Sequence, residues 1–162
     1  EAFGNRGIKS RMFDSIIGFV SDTANAYLQR LSGGAMVVEF DTQTKLKSGE
    51  WRDKFDVRVK KANEKGSYQS CSGGEKRRAD LAISLALQEL VNKSTVSCNV
   101  GVFDEPFDGL DESGIEQSIE LLEEVMRNKE TTFIITHRPE LKGYFDTVWV
   151  VENEDGVSSL KA

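Results

Sequence analysis

The segment from Gln69 to Leu90, QSCSGGEKRRADLAISLALQEL, limits most strongly how this chain can fold, because Ser-Gly-Gly leads directly into a long apolar helix. Alanine, leucine and isoleucine occupy most sides of that helix, so we expect it to be deeply packed. Ser72 and Glu75 stand three residues apart, which is the spacing of a capping box. The pattern therefore predicts a helix over residues 74–91 with a capped start.

An apolar run that ends in two acids follows this helix. VGVFDEP predicts a buried strand that ends at Asp104 and Glu105, and the next strand, TTFIITH, comes after an amphipathic helix. Strand–helix–strand order favours parallel pairing, which brings the carboxyl ends of the strands to one ligand crevice. There Asp104 can hold a hydrated Mg²⁺, and Glu105, on the other side of the pleat, can accept a proton from water. A strand that ends in acids by chance is the open alternative.

Further polar residues can serve an anionic ligand at such a crevice. Gly73 and Gly74 allow close approach of the backbone, and the helix start offers free N–H groups beside the hydroxyl of Ser72. His137 ends the second strand and can donate to a γ-phosphate oxygen near neutral pH. Asp111 lies in the tight loop after the acidic pair. An ordinary helix cap and a structural histidine are the simpler interpretations of these residues when each is taken alone.

The phosphate-binding loop that usually accompanies such features is missing. The pattern G-x-x-x-x-G-K-[ST] needs a Gly-Lys dipeptide, and this chain contains none. The sequence thus predicts only half of a nucleotide site.

The flanking segments predict one more helix and two hairpins. Apolar residues recur at three- and four-residue steps from Ile8 to Leu31, and Ser-Gly-Gly ends that helix. The predicted strands of the first hairpin are 35–40 and 55–62, with a long polar tip at 41–54. A closing hairpin turns at NEDG near the end of the chain. We expect an α/β fold with a helical segment, 1–31, before a lobe at 32–162.

Composition and charge add weaker limits. The 162 residues fit one domain, and the net charge of −6 argues against a binder of nucleic acid over its whole surface. Residues 45–78 nevertheless carry eleven Lys and Arg against five acids, a balance of +6. That segment is either a local phosphate-binding face or a solvated hairpin with ordinary surface lysines.

Other classes are excluded or constrained by what the sequence contains. It has no run of 18 apolar residues and begins without an apolar leader, so no membrane span or signal peptide is expected. The first residue is Glu rather than Met, which suggests a fragment or a processed product. Cys71 and Cys98 are predicted to be buried thiols of a reducing compartment.

Taken in order, these motifs resemble the C-terminal lobe of an ABC-type ATPase head, from about residue 35 to the end. Ser72–Glu75 resemble its signature motif and Val100–Glu105 its Walker B strand with the catalytic glutamate. Gly109–Asp111 resemble the D-loop, and His137 resembles the switch histidine. The combination is much more specific than any one motif.

Within that superfamily the chain looks most like the coiled-coil, SMC-like ATPases of double-strand-break repair, including the SbcC-type exonuclease subunits. The helix sequence EKRRADLAISLALQEL is similar to theirs, whereas transporter heads usually have GQ(Q/R)QR there. The first 31 residues resemble the coiled coil where it re-enters the head. Two departures stand out: Cys71 replaces the usual Leu, and Arg138 stands where acidic or apolar residues are common.

The resemblance implies that two heads enclose two ATP molecules. In its own site Asp104 would orient Mg²⁺, Glu105 would activate water and His137 would contact the γ-phosphate. In the opposing site the residues Ser72, Gly73, Gly74 and Glu75 would close on the nucleotide, and Asp111 would couple the two sites. Without the P-loop lobe, this chain alone should have no appreciable ATPase activity.

The same resemblance implies several partners. They are the N-terminal P-loop lobe of the same protein, a second head, a metallophosphoesterase nuclease subunit and double-stranded DNA, in the cytoplasm and nucleoid or in a nucleus, with no membrane partner. The segment Phe3–Leu31 is the expected nuclease contact, and Lys45–Lys65 is the candidate DNA-facing or interlobe element. A transporter ATPase, an SMC- or RecN-type head, and a catalytically silent dimerisation module are the alternatives.

Overall fold

The computed structural model describes residues 5–45, 51–61, 68–94 and 98–161, and within these ranges the fold is α/β, as predicted. The elements in chain order are α1 (Asn5–Ser32), β1 (Met36–Lys45), β2 (Trp51–Lys61), α2 (Gly73–Ser94), β3 (Val100–Asp104), α3 (Glu112–Met126), β4 (Thr131–Ile135), β5 (Val150–Glu154) and β6 (Val157–Lys161). Short 3₁₀ helices span Tyr68–Ser70 and Pro139–Tyr144. None of the helices in the described ranges is long and apolar enough to cross a membrane.

Helices α1 and α2 pack antiparallel and form much of the core. Tyr27 donates a hydrogen bond to Glu89 at 2.6 Å, and the Lys93 ammonium lies 4.3 Å from the ring centroid of Phe19. The buried stripe of α1 repeats at four- and three-residue steps: Val20, Ala24, Leu28 and Leu31. Ile16, which was predicted to share this stripe, is exposed, because it lies toward the end of α1 that extends past the contact with α2.

The prediction that α2 is deeply packed on nearly all sides is only partly right. Its buried residues are Ala79, Leu81, Ala82, Leu85 and Ala86, which meet α1 and the core. Leu87 is 46% exposed, and Ile83 and Leu90 are only partly covered. The elements of this chain therefore leave part of the apolar surface of α2 open to solvent.

The hairpin of β1 and β2 is longer than predicted. The strands pair antiparallel from Met36↔Lys61 to Lys45↔Trp51, with a bulge between Asp41 and Gln43. The prediction of a long tip at 41–54 is therefore wrong. Thr and Trp favour β-structure, and they extend both strands into that stretch. Only residues 46–50, which lie outside the described residues, separate the two strands.

The parallel pair predicted from strand order is confirmed. β3 pairs with β4 from Val100↔Thr131 to Asp104↔Ile135, and α3 makes the crossover. The face predicted for α3 is buried, at Ile115, Ile119, Leu122 and Met126. The closing hairpin is also confirmed: β5 and β6 pair antiparallel, and the Gly156 N–H donates to Asn153 Oδ1 at 3.2 Å within the predicted turn.

The prediction that β3 and β4 are both buried strands is wrong, however. β3 alternates, with Gly101 and Phe103 buried but Val102 57% exposed. β4 is exposed along most of its length. Within the described ranges, side chains on one face of this pair stay exposed although they are apolar, including Val102, Phe133 and Ile135.

The two cysteines have different environments. Cys71 is buried, as predicted, whereas Cys98 is exposed, which contradicts the prediction. Cys98 precedes the first paired residue of β3 and so lies outside the packed part of that strand. The division at residues 31 and 32 stays a prediction, and the last turns of α1 are part of the core.

Candidate functional site

The carboxyl ends of β3 and β4 bring together three of the predicted site residues. β3 ends at Asp104, whose side chain is exposed at this edge. The next residue, Glu105, leaves the strand with a positive φ of 48°, and its N–H donates to the Ile135 carbonyl at 2.9 Å. The backbone turn therefore sets the direction of Glu105, so the prediction from strand alternation had the wrong physical basis.

Glu105 and His137 form a direct pair. Glu105 Oε1 accepts the backbone N–H of His137 at 3.0 Å and lies 2.8 Å from its Nδ1. The hydrogen bond to His137 holds the pKa of Glu105 below its usual value, and the same bond and charge raise the pKa of His137. The imidazole remains 73% exposed, so water and ligands can reach its other nitrogen.

The second oxygen of Glu105 is shielded from solvent. Oε2 has no hydrogen-bond partner of ordinary geometry among the described residues. The Thr136 side chain nevertheless helps to lower the pKa of Glu105, after the larger effect of His137. The carboxylate is therefore held at the strand ends by groups on the segment that follows β4.

The donors present fit a magnesium ion that arrives with a nucleotide. Across the described ranges no cluster of three or more His, Cys, Asp or Glu side chains could hold a metal. Asp104 offers a single exposed carboxylate at the strand end. Since Mg²⁺ keeps several waters and typically takes one or two carboxylates plus phosphate oxygens, one carboxylate is enough in that setting.

The predicted capping box forms at the start of α2, which begins one residue earlier than predicted. The Ser72 N–H donates to Glu75 Oε2 at 2.7 Å, and the Glu75 N–H donates to Ser72 Oγ at 3.3 Å. The bond from the Ser72 backbone, followed by one from Lys61, lowers the pKa of Glu75. Ser72 and Gly73 are exposed, so this helix start faces solvent.

Asp111 caps α3 and also contacts α2. Its Oδ1 accepts the Gly114 N–H at 3.2 Å and lies 2.6 Å from an Arg78 nitrogen. Desolvation works to raise the pKa of Asp111, but the Arg78 charge and the backbone hydrogen bonds outweigh it, so this pKa is lowered. The loop from Phe107 to Asp111, which we call the 107–111 loop, is thereby fixed to the first turns of α2.

Three arginines that the sequence analysis did not assign hold the 107–111 loop. Arg77 Nε donates to the Asp108 carbonyl at 3.2 Å, and Arg78 binds Asp111 as described. Arg138, which follows β4, donates to carbonyl groups of the same loop. The only sequence signal was the basic EKRR turn set against the acidic DEPFDGLD loop, since charge alone does not specify carbonyl acceptors.

The predicted site residues therefore lie in two groups. Asp104, Glu105 and His137 lie at the strand ends, whereas Ser72–Glu75 lie at the start of α2. The 107–111 loop contacts both groups. The Asp108 N–H donates to the Glu105 carbonyl at 3.3 Å, and a Cβ on Gly74 would lie 3.0 Å from the Gly109 carbonyl oxygen.

A large apolar groove lies between β4 and β5, and we call it the β4–β5 groove. Its volume is about 1030 Å³, and its lining extends from Thr131 through His137 to Val151 and Leu160. Phe133 and Trp149 face each other there with ring centroids 5.8 Å apart. The groove continues the open apolar face of the strand pair and ends beside the Glu105 partner, His137.

Solved structures share this fold. The Smc head domain of Pyrococcus yayanosii, solved with a coiled coil and joint, matches 97% of this chain and 29% of its own with a TM-score of 0.72 and 20% identity. A structure titled "Structural biochemistry of ATP-driven dimerization and DNA stimulated activation of SMC ATPases" matches 93% of this chain and 87% of its own, with a TM-score of 0.70 and 21% identity. The fold is that of the C-terminal lobe of an SMC-like ATPase head.

The family follows from the sequence. Residues 43–124, just over half of the chain, match the family described as "SbcC/RAD50-like, Walker B motif", and the chain belongs to this family. The SbcC component of the nuclease SbcCD from Staphylococcus aureus strain JH9 is 30% identical over 111 residues, which are 67% of this chain. The transporter ATP-binding protein EcfA2 of Ureaplasma parvum serovar 3 is 38% identical over 69 residues, 43% of this chain. The chain spans only 11% and 14% of these two relatives, respectively.

Proposed function

We propose that the chain is the C-terminal half of an ATP-hydrolysing head that dimerises on ATP and so regulates DNA binding and nuclease processing of DNA ends in double-strand-break repair. The observation that carries the proposal is the Glu105–His137 pair beside Asp104, at the carboxyl ends of parallel strands. Membership of the SbcC/RAD50-like family supports the same chemistry.

In this proposal the three strand-end residues act on one nucleotide. ATP would supply the phosphoryl group, and Mg²⁺ would offset the negative charge of its phosphates. Asp104 would hold the ion, the Glu105 carboxylate would take a proton from the attacking water, and His137 would donate to a γ-phosphate oxygen. Because Glu105 Oε1 is held by the backbone and ring of His137, the Glu105 carboxylate has a fixed position.

The start of α2 serves the opposing head. Ser72 presents a hydroxyl, and Gly73 and Gly74 present backbone without side chains at a helix start, an arrangement that suits an anion. Glu75 keeps that turn in shape through the capping box. To Asp111, which is held by Arg78, we assign the coupling of the two sites in a closed dimer.

The missing lobe fits the β4–β5 groove. The outer edges of β4 and β5 have no strand partner within the described ranges, and the apolar side chains between them are exposed. A lobe that carries an apolar strand would cover this surface and bring its phosphate-binding loop beside His137. This is the role we assign to the N-terminal P-loop lobe of the same protein.

The DNA and nuclease partners rest on family membership and on the name of the SbcCD relative. The nuclease contact is proposed for Phe3–Leu31 and the DNA contact for Lys45–Lys65. Within the latter, Lys60 pairs with Glu39 at 2.6 Å and Lys61 with Glu75 at 3.0 Å, so DNA would have to compete with these pairs. Reversing Lys60 and Lys61 to Glu should weaken DNA binding and flatten its salt dependence.

A transporter ATPase is the second candidate, because of the similarity to EcfA2. The long helix α1 argues against it, since its last turns bury Ala24, Leu28 and Leu31 in the core. In sequence, the SbcC relative matches 67% of this chain, whereas the EcfA2 of Ureaplasma parvum matches 43%. An SMC- or RecN-type head differs in its partners rather than in its ATP chemistry.

The test uses a complete head in which this chain is joined to its P-loop lobe. Glu105→Gln should lower kcat by about 10²- to 10⁴-fold, the range for loss of a general base, while ATP-bound dimers accumulate in size-exclusion chromatography. Glu120→Gln, an exposed change on α3, is the matched control and should behave like the wild type. A silent dimerisation module would show no effect of Glu105→Gln. Hydrolysis by the isolated chain at the rate of a complete head would also contradict the proposal.

A further inference from the structure

Arg138 connects the His137 segment to the 107–111 loop. Its NH1 group donates to the carbonyl oxygens of Phe107 at 3.3 Å and Leu110 at 3.4 Å. Its Nε donates to Glu140 Oε1 at 2.7 Å, and the side chain is only 24% exposed. Arg138 is the neighbour of His137 in the chain, and its planar guanidinium thus binds both ends of a tight turn.

The turn that Arg138 grips is held in a shape that depends on its carbonyl groups. The Leu110 N–H donates to the Phe107 carbonyl at 3.2 Å, and Gly109 takes a φ of +72° within the turn. Phe107 and Leu110 are both buried, so their carbonyl groups have little access to water and need protein donors. A lysine ammonium could not reach two carbonyls and Glu140 with the same planar geometry.

The same turn is also bound to α2. Arg77 binds Asp108 and Arg78 binds Asp111, and the Gly109 carbonyl oxygen packs closely over Gly74. A displacement of the turn must therefore move the start of α2, strain Gly74 or break these contacts. The contacts form a continuous path from the histidine to the Ser-Gly-Gly turn.

We propose that Arg138 is a positioning residue that couples His137 to the 107–111 loop. A change in the position of His137 at one nucleotide then shifts Asp111 and the turn at Ser72, which face the other nucleotide. The inference rests on the proposed function, because it assigns His137 to one site and Ser72 to the opposing site. Arg138 itself touches no nucleotide in this account.

The first test measures hydrogen exchange in this chain. Arg138→Ala and Arg138→Lys should speed exchange of the Leu110 amide by about tenfold or more, because a charged donor that stabilises the turn is lost or misplaced. Arg127→Ala removes an exposed arginine at the end of α3 and is the matched control. Unchanged exchange in Arg138→Ala, with the fold intact by circular dichroism, would overturn the inference.

The second test uses mixed dimers of complete heads. One head is wild type, and the other carries Glu105→Gln with or without Arg138→Ala, so hydrolysis comes from the wild-type head's own site. Arg138→Ala in the silent head should lower kcat of the wild-type site by about tenfold, with KM for ATP changed less than about twofold. A purely local role for Arg138 would leave that kcat unchanged and overturn the coupling.

These dimers also separate the two proposals. If the pair of wild-type and Glu105→Gln heads neither dimerises on ATP nor hydrolyses it, the proposed function fails. If that pair is active and Arg138→Ala in the silent head has no effect, only the role of Arg138 fails. Arg138→Lys should resemble Arg138→Ala, since charge without the planar fork does not restore the two carbonyl contacts.

Discussion

A single carboxylate oxygen of Glu105 binds both the backbone and the ring of His137, at 3.0 Å to the N–H and 2.8 Å to Nδ1. The backbone contact fixes where the carboxylate lies, and the ring contact ties its charge to the imidazole. Each group thereby shifts the pKa of the other in the direction that favours an ion pair. The pair is exposed enough that its charge state can be followed in solution.

Glu105→Gln should lower the pKa of His137 toward its ordinary value of 6.5, because the amide removes the hydrogen bond and charge that raise it. The chain has one histidine, so its imidazole resonances give an unambiguous NMR titration. Asp108→Asn should lower the same pKa less, since the Asp108 charge acts without a hydrogen bond to the ring. A titration midpoint unmoved by Glu105→Gln would show that the pair does not form in solution.

The pair should make stability depend on pH in a defined window. The raised pKa of His137 gives stability that is complete below 6.5 and is lost as pH rises through the folded-state value. The lowered pKa of Glu105 gives stability that is present above 4.5 and is lost as pH falls through its folded-state value. His137→Gln should therefore reduce the urea midpoint more at pH 5.5 than at pH 8.5. An equal reduction at both pH values would exclude an ionic contribution.

Sequence order was enough to predict the parallel pair, the capping box and the closing turn, because each depends on local chemistry or on chain connectivity. The position of Glu105 was not predictable from alternation, since the strand ends at Asp104 and the next residue has a positive φ. The role of Arg138 was hidden for a related reason. Its acceptors are carbonyl groups about 30 residues away, which no side-chain pattern marks.

Burial of the strands failed because apolar composition does not say which unit covers each face. Val102 is as apolar as a core residue, yet the described part of this chain provides no element over it. Under the proposed function, the P-loop lobe would cover this face, so the apolar sequence would reflect burial in a complete head. Cys98 is a second example. It precedes a strand of apolar composition and was predicted to be buried, but it lies before the packed part of that strand and is exposed.

The two glycines at the start of α2 should respond differently to alanine. Gly74→Ala places a Cβ 3.0 Å from the Gly109 carbonyl oxygen, so the 107–111 loop must shift, at a cost of about 1–3 kcal/mol typical of overpacking. A Cβ on Gly73 meets nothing within 4 Å, and alanine there should be neutral or stabilise by up to about 1 kcal/mol. Urea unfolding of the two variants measures this difference.

The same pair of variants separates packing from ligand approach. Under the proposed function, ATP-driven dimerisation of complete heads should weaken in Gly73→Ala although its stability is not reduced, because the added methyl group stands between the backbone and the opposing nucleotide. Normal dimerisation in Gly73→Ala would show that no ligand approaches this turn closely. Equal losses of stability in both variants would instead contradict the contact between Gly74 and Gly109.

Two valines of the closing hairpin test whether the proposed P-loop lobe binds in the β4–β5 groove. Val151 and Val157 are exposed to nearly the same extent, 69% and 70%, but only Val151 lines the β4–β5 groove. Val151→Lys should weaken association with a separately expressed P-loop lobe by about tenfold or more, since a buried valine contributes about 1.5 kcal/mol or more and the new charge would be desolvated. Val157→Lys should bind as the wild type does.

Both changes should leave the urea midpoint of this chain nearly unchanged, because neither side chain is buried within it. Calorimetric titration of the P-loop lobe into each variant gives the comparison, and equal affinities for the two would mean that the lobe binds elsewhere.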